Sequence, residues 1–92
     1  LVSVDHEIAA WRVACARGVP FAFRGLGASM WPSLRAGDEA LFAPLAHAPR
    51  AGEVLLYRAG DRLVAHRFLG FRVEGTLRLR GDYWNTAQDH LM

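Results

Sequence analysis

Residues 53–80 read as short strands punctuated by glycine turns, and this rhythm constrains the fold more than any other feature. Glu53 to Arg58 (EVLLYR) is rich in side chains that favour a pleated, half-buried surface. Ala59-Gly60-Asp61 turns it into Arg62 to Phe68 (RLVAHRF). Gly70 precedes a further short strand, Phe71 to Val73. Glu74-Gly75 makes the next turn, and Thr76 to Arg80 (TLRLR) alternates cleanly. Upstream, Phe21 and Phe23 alternate with Ala22 and Arg24, and Glu39 to Ala43 is a short apolar strand ending at Pro44. Leu45 to Gly52 is rich in Ala and Pro and reads as a loop. Short strands at near-regular spacing point to a mainly β fold, a small twisted antiparallel sheet or barrel.

One helix is expected ahead of it. Over residues 3–17, Ile8, Trp11 and Cys15 recur at helical spacing with Ala14 alongside. Ser3 suits the N-cap, and Asp5 and Glu7 sit where the helix dipole favours anions. Arg12 and Arg17 lie toward the C-terminal end, and Gly18 is a natural stop. The apolar face is expected to pack on the β-core. Its other use would be contact with a membrane surface or a partner protein. The reading is one domain over residues 1–92, with a helix at about 3–17 and a β-core at about 20–90.

Composition removes several classes of function. No apolar run reaches the ~18–20 residues needed to cross a bilayer, and no signal peptide opens the sequence, so the chain reads as soluble. The lone Cys15 cannot form an internal disulfide, and on the apolar helix face it reads as inert filling and not as a nucleophile. His6, His47, His66, His90 and Cys15 show no metal-ligand spacing, so no metal or other cofactor is expected. A net charge of +2 on scattered arginines argues against a nucleic-acid partner. A β-barrel binding nucleic acid through arginines and Tyr83/Trp84 has no basic run to support it. All 11 basic residues are arginine. A lysine general base is therefore excluded, and arginine cannot replace it because its guanidinium stays protonated.

Four clusters carry candidate chemistry. Gly27-Ala28-Ser29-Met30-Trp31-Pro32 places a serine between small residues and a rigid proline. Such a serine is most often a turn residue, but a rigid turn can present its hydroxyl. Gly37-Asp38 reads as a turn in which the aspartate bonds its own backbone. In Ala65-His66-Arg67-Phe68, period-2 alternation puts His66 on one face with Val64 and Phe68, and Arg67 on the other. A histidine there is commonly a satisfied core residue. Beside a serine it is a general base, with an ordinary pKa of ~6.5. In Gly81-Asp82-Tyr83-Trp84-Asn85, followed by Asp89, either carboxylate could orient His66. His90, in the polar tail, is the lesser candidate for the base.

Taken in order, these residues resemble the signal peptidase I superfamily, which also holds the self-cleaving repressor-type proteases. The resemblance rests on Gly27-x-Ser29-Met30-x-Pro32, Gly37-Asp38, Gly52-Glu53-Val54, His66-Arg67 and Gly81-Asp82, and spans roughly residues 21–89. Glu53 stands where the family has Asp, and Gly81-Asp82-Tyr83-Trp84 where it has Gly-Asp-Asn-Asn. His66 occupies the place of the catalytic lysine, as in the endoplasmic-reticulum and archaeal type, and the chain has no lysine to offer.

The resemblance implies a β fold of the signal peptidase type and a serine endopeptidase that cuts a leader, signal or propeptide after small residues. Ser29 would be the nucleophile, His66 the base, and Asp82 or Asp89 the orienting acid. Gly27, Ala28, Met30 and Pro32 would line the substrate site, with only backbone donors left for the oxyanion because Gly27 carries no hydroxyl. The partner implied is a peptide or protein with a small-residue cleavage site. Family members are associated with membranes, whereas this sequence carries no spanning segment, so the compartment stays open. The alternative is the same fold without catalysis, a binding or assembly module.

Overall fold

The computed structural model describes residues 4–25, 27, 29–83 and 90–91. Ser3, Ala28, Trp84, Asn85 and Asp89 lie outside the described residues. The fold is mainly β, with one N-terminal helix and two antiparallel sheets.

Helix α1 spans Val4–Arg17. It ends as the sequence expects: Gly18 takes a φ of 66°, its N–H donates to the Cys15 carbonyl, and the Val19 N–H donates to the Ala14 carbonyl. Those two bonds close a left-handed glycine cap and satisfy carbonyls the helix would otherwise leave open. Ile8 and Ala14 are buried. Cys15 is exposed, contrary to the expectation that it fills the core. It does share a helix face with Ile8 and Trp11, but that face overhangs an open apolar cleft, where Cys15 and Trp11 line one wall and Phe21, Phe42 and Pro44 are among the others.

Strands β1 (Phe21–Phe23) and β2 (Ala40–Phe42) form a two-stranded sheet. Strands β3 (Val54–Ala59), β4 (Arg62–Phe71), β5 (Leu77–Arg80) and β6 (His90–Leu91) follow in spatial order in a four-stranded sheet. The two sheets stay separate, and among the described residues no barrel closes. Phe71 to Val73 is not a separate strand either. β4 runs through Gly70, where the register against β5 shifts from Phe68↔Leu79 to Gly70↔Arg78. A glycine with φ 147° carries this bulge, so a residue read as a break is a kink within one strand. The extra residue returns Phe71 to the side of Phe68, and the two rings meet edge to face at 5.1 Å.

The large sheet has an apolar cluster on each face, as period-2 alternation demands. Leu63 and Ala65 pack with Ile8 of the helix and Phe23 of β1, flanked by Val54 and Leu56. On the opposite face Tyr57, Phe68 and Leu79 form a second cluster, flanked by Leu55, Val64 and Leu77. His66 falls between Val64 and Phe68 on that second face, and it is the buried polar residue among them.

Candidate active site

The hairpin β3–β4 sets the histidine. Its Gly60-Asp61 turn pairs Ala59 with Arg62, which places Tyr57 opposite Val64 and Leu55 opposite His66. Tyr57 and His66 are therefore diagonal neighbours on one face, within reach of each other's side chains. The Tyr57 hydroxyl lies 3.1 Å from His66 Nδ1. Burial pushes the Tyr57 phenol up to about 12, so it stays protonated and neutral.

The serine comes from the turn before β2. Leu34 N–H donates to the Met30 carbonyl and closes that turn, in which the Trp31–Pro32 peptide is cis. Met30 is 1% exposed. It anchors the turn from beneath and offers no surface to a peptide, which corrects its expected place in the substrate site. Gly27 and Pro32 are exposed beside Ser29. With Met30 sunk below, Ser29 is carried to the histidine: its Oγ lies 3.2 Å from His66 Nε2, across 37 positions of sequence.

Asp82 is placed differently from the expectation. Its two carboxylate oxygens receive the Arg67 guanidinium, with Nε at 2.8 Å and Nη2 at 2.7 Å, and the Ser33 hydroxyl at 2.7 Å. The Nδ1 position expected for it belongs to Tyr57. The reason is register: Arg67 projects from the other side of β4 and meets the chain leaving β5, so the fork takes the carboxylate bidentately. Arg67 also donates to the Gly52 carbonyl. The next residue, Tyr83, donates its N–H to the Ser29 carbonyl at 2.8 Å. The Tyr83 ring stands edge-on to Trp31 at 5.8 Å. Asp82 and Tyr83 thus hold the serine turn against β4. Asp89 and Ala28 lie outside the described residues. Asp38 accepts from the Arg35 N–H in the turn expected of it.

Residue reading alone passed over Tyr57 and Ser33, although the hairpin turn carried enough information to pair Tyr57 with His66. Among the described residues no group of three or more His, Cys, Asp or Glu side chains could hold a metal ion. No helix among them is long and apolar enough to cross a membrane.

The ion pair makes stability depend on pH in a defined direction. The Arg67 hydrogen bonds hold the Asp82 carboxyl below its ordinary range, with Ser33 and the charges of Arg67 and His66 adding to the pull and burial opposing it. The folded state therefore binds fewer protons than the unfolded state at acid pH, and the stabilisation is present above the ordinary carboxylate pKa of ~3.9. It disappears as pH falls through the lower folded value. Asp82→Asn is expected to cost about 1–2 kcal/mol at pH 7. Urea titrations should show that gap closing below about pH 4. A gap unchanged down to pH 2 would assign the cost to something other than the ionised carboxylate.

With the geometry in hand, comparison with known proteins adds no relative: no family model, curated protein or solved structure matches the chain.

Proposed function

We propose that this protein is a serine endopeptidase of the signal peptidase type, cutting a leader, signal or propeptide after small residues. The observation that carries the reading is the contact between Ser29 Oγ and His66 Nε2 at 3.2 Å, on a serine with intermediate exposure and a buried histidine. A hydroxyl is a weak nucleophile until a base takes its proton, and hydrogen-bond reach of that base is the first requirement.

In the reaction, Ser29 Oγ attacks the scissile carbonyl carbon as its proton passes to His66 Nε2. The tetrahedral intermediate collapses, the C–N bond breaks, and His66 returns the proton to the leaving amine. Water then attacks the resulting ester with His66 again as base, which releases the acid product and restores Ser29. The absence of lysine fits this arrangement, since His66 is the titratable base at the serine. Asp82, Arg67 and Ser33 hold the serine turn in place and do not touch the reacting atoms.

The test is digestion of a peptide library, read by mass spectrometry, with wild type beside Ser29→Ala. Cleavage after small residues by wild type alone is the expected result. Equal cleavage by Ser29→Ala would overturn the assignment of the nucleophile. No cleavage by wild type would overturn the enzyme reading in favour of a peptide-binding module.

A further inference from the structure

We propose that Tyr57 is the positioning residue of His66: its hydroxyl oxygen accepts a hydrogen bond from Nδ1–H and leaves Nε2 unprotonated toward Ser29. This rests on the Ser29–His66 reading above and names the group that orients the imidazole where a triad would use a carboxylate.

The two ring nitrogens of His66 are not equivalent. A neutral imidazole carries one N–H, and only the tautomer protonated at Nδ1 can receive the serine proton at Nε2. Once the proton has moved, both nitrogens are donors, and Nδ1–H then requires an acceptor in a buried place. Tyr57 Oη stands there at 3.1 Å. His66 is 6% exposed and Tyr57 8%, so bulk water competes poorly for the bond. The position is also stiff. Tyr57 sits in the cluster with Phe68 and Leu79, both 1% exposed or less, and its ring lies 6.1 Å from the imidazole at 59°. Because the phenol stays protonated, it supplies geometry and an acceptor lone pair but no negative charge. That separates it from a triad carboxylate, which supplies both. The Asp82 carboxylate, engaged by Arg67 and Ser33, is not available to replace it.

Two measurements test the assignment. The first is long-range proton–nitrogen NMR of uniformly 15N-labelled wild type at a pH where His66 is neutral. Nδ1 is expected to show the signature of a protonated nitrogen and Nε2 that of an unprotonated one, and Tyr57→Phe is expected to mix the two tautomers. The second is kinetics of Tyr57→Phe on the best library peptide. The expected result is a fall in kcat of about 10- to 100-fold with KM held within about twofold. A reversed tautomer in wild type, or unchanged kcat in Tyr57→Phe, would overturn the inference. If wild type cleaves nothing, the function proposed above fails. The NMR arm still decides the placement of the proton, because it needs no substrate.

Discussion

Ser29→Ala and His66→Ala are each expected to lower kcat by about 10⁴-fold, with no further fall in the double variant. This is the expected outcome when two residues act as one device. Without His66 the serine hydroxyl keeps its proton, and without Ser29 the histidine has only water to activate. Independent contributions would multiply instead. A double variant 10³-fold or more below either single one would therefore break the dyad assignment, even with both single variants inactive. The reading should be taken from single-turnover rates, where product release does not mask the chemical step. Thermal melts on the same samples guard against misfolding. Ser29→Ala removes only a hydroxyl of intermediate exposure, whereas His66→Ala empties a buried position. His66→Gln, closer in size, is the companion variant.

The largest effect on stability is expected from Phe68→Ala. Phe68 is 1% exposed and packs with Tyr57 and Leu79 on the His66 face, with the Phe71 ring edge-on at 5.1 Å. Removing it loses the transfer energy of a phenyl ring and leaves a cavity the neighbouring strands cannot close, a cost of about 3–5 kcal/mol. A chain of this size holds roughly 5–14 kcal/mol in all, so the loss takes from about a fifth to nearly all of it. The urea midpoint should fall by roughly 1–3 M. Phe68→Leu keeps most of the volume and should fall by less than half as much. If Phe68→Ala costs under about 1 kcal/mol, the second face of the sheet is not a packed core. The two faces differ in purpose: the Ile8 and Phe23 side anchors the helix, while the Phe68 side seats Tyr57 and, through it, the imidazole.

Much of this was legible in the residues, and the exceptions have physical causes. The helix stop at Gly18 and the hairpin at Gly60-Asp61 follow from local backbone preferences, which a sequence states directly. The face shared by Val64, His66 and Phe68 follows from alternation, and Ser29 and His66 were nameable as partners through the family resemblance that the ordered motifs carry. Pairing choices across distance were not legible. Asp82 had two basic groups to choose between, His66 and its neighbour Arg67, and only the fold shows the guanidinium taking both oxygens. Met30 looked like a pocket residue because it follows the serine; its burial depends on what lies beneath the turn. Gly70 looked like a strand end because a glycine marks a break and a bulge with the same letter. Tyr57 is the instructive omission. Counting back from the two-residue turn places it diagonal to His66, so its place beside the imidazole was available to arithmetic on the hairpin alone.

The bond from the Tyr83 N–H to the Ser29 carbonyl, with the Asp82 bridge to Ser33 across 49 positions, has a temporal meaning as well as a spatial one. Contacts between distant parts of a chain form late, because the loop between them must first be closed. The hydroxyl and the imidazole can be synthesised, and the hairpin can fold, while the turn that presents the serine still lacks its outer brace. On a ribosome, the serine turn gains this brace only after Asp82 and Tyr83 have emerged. In the proposed enzyme, competence to cut would thus be tied to completion of the fold, and a partly made chain would be spared its own chemistry.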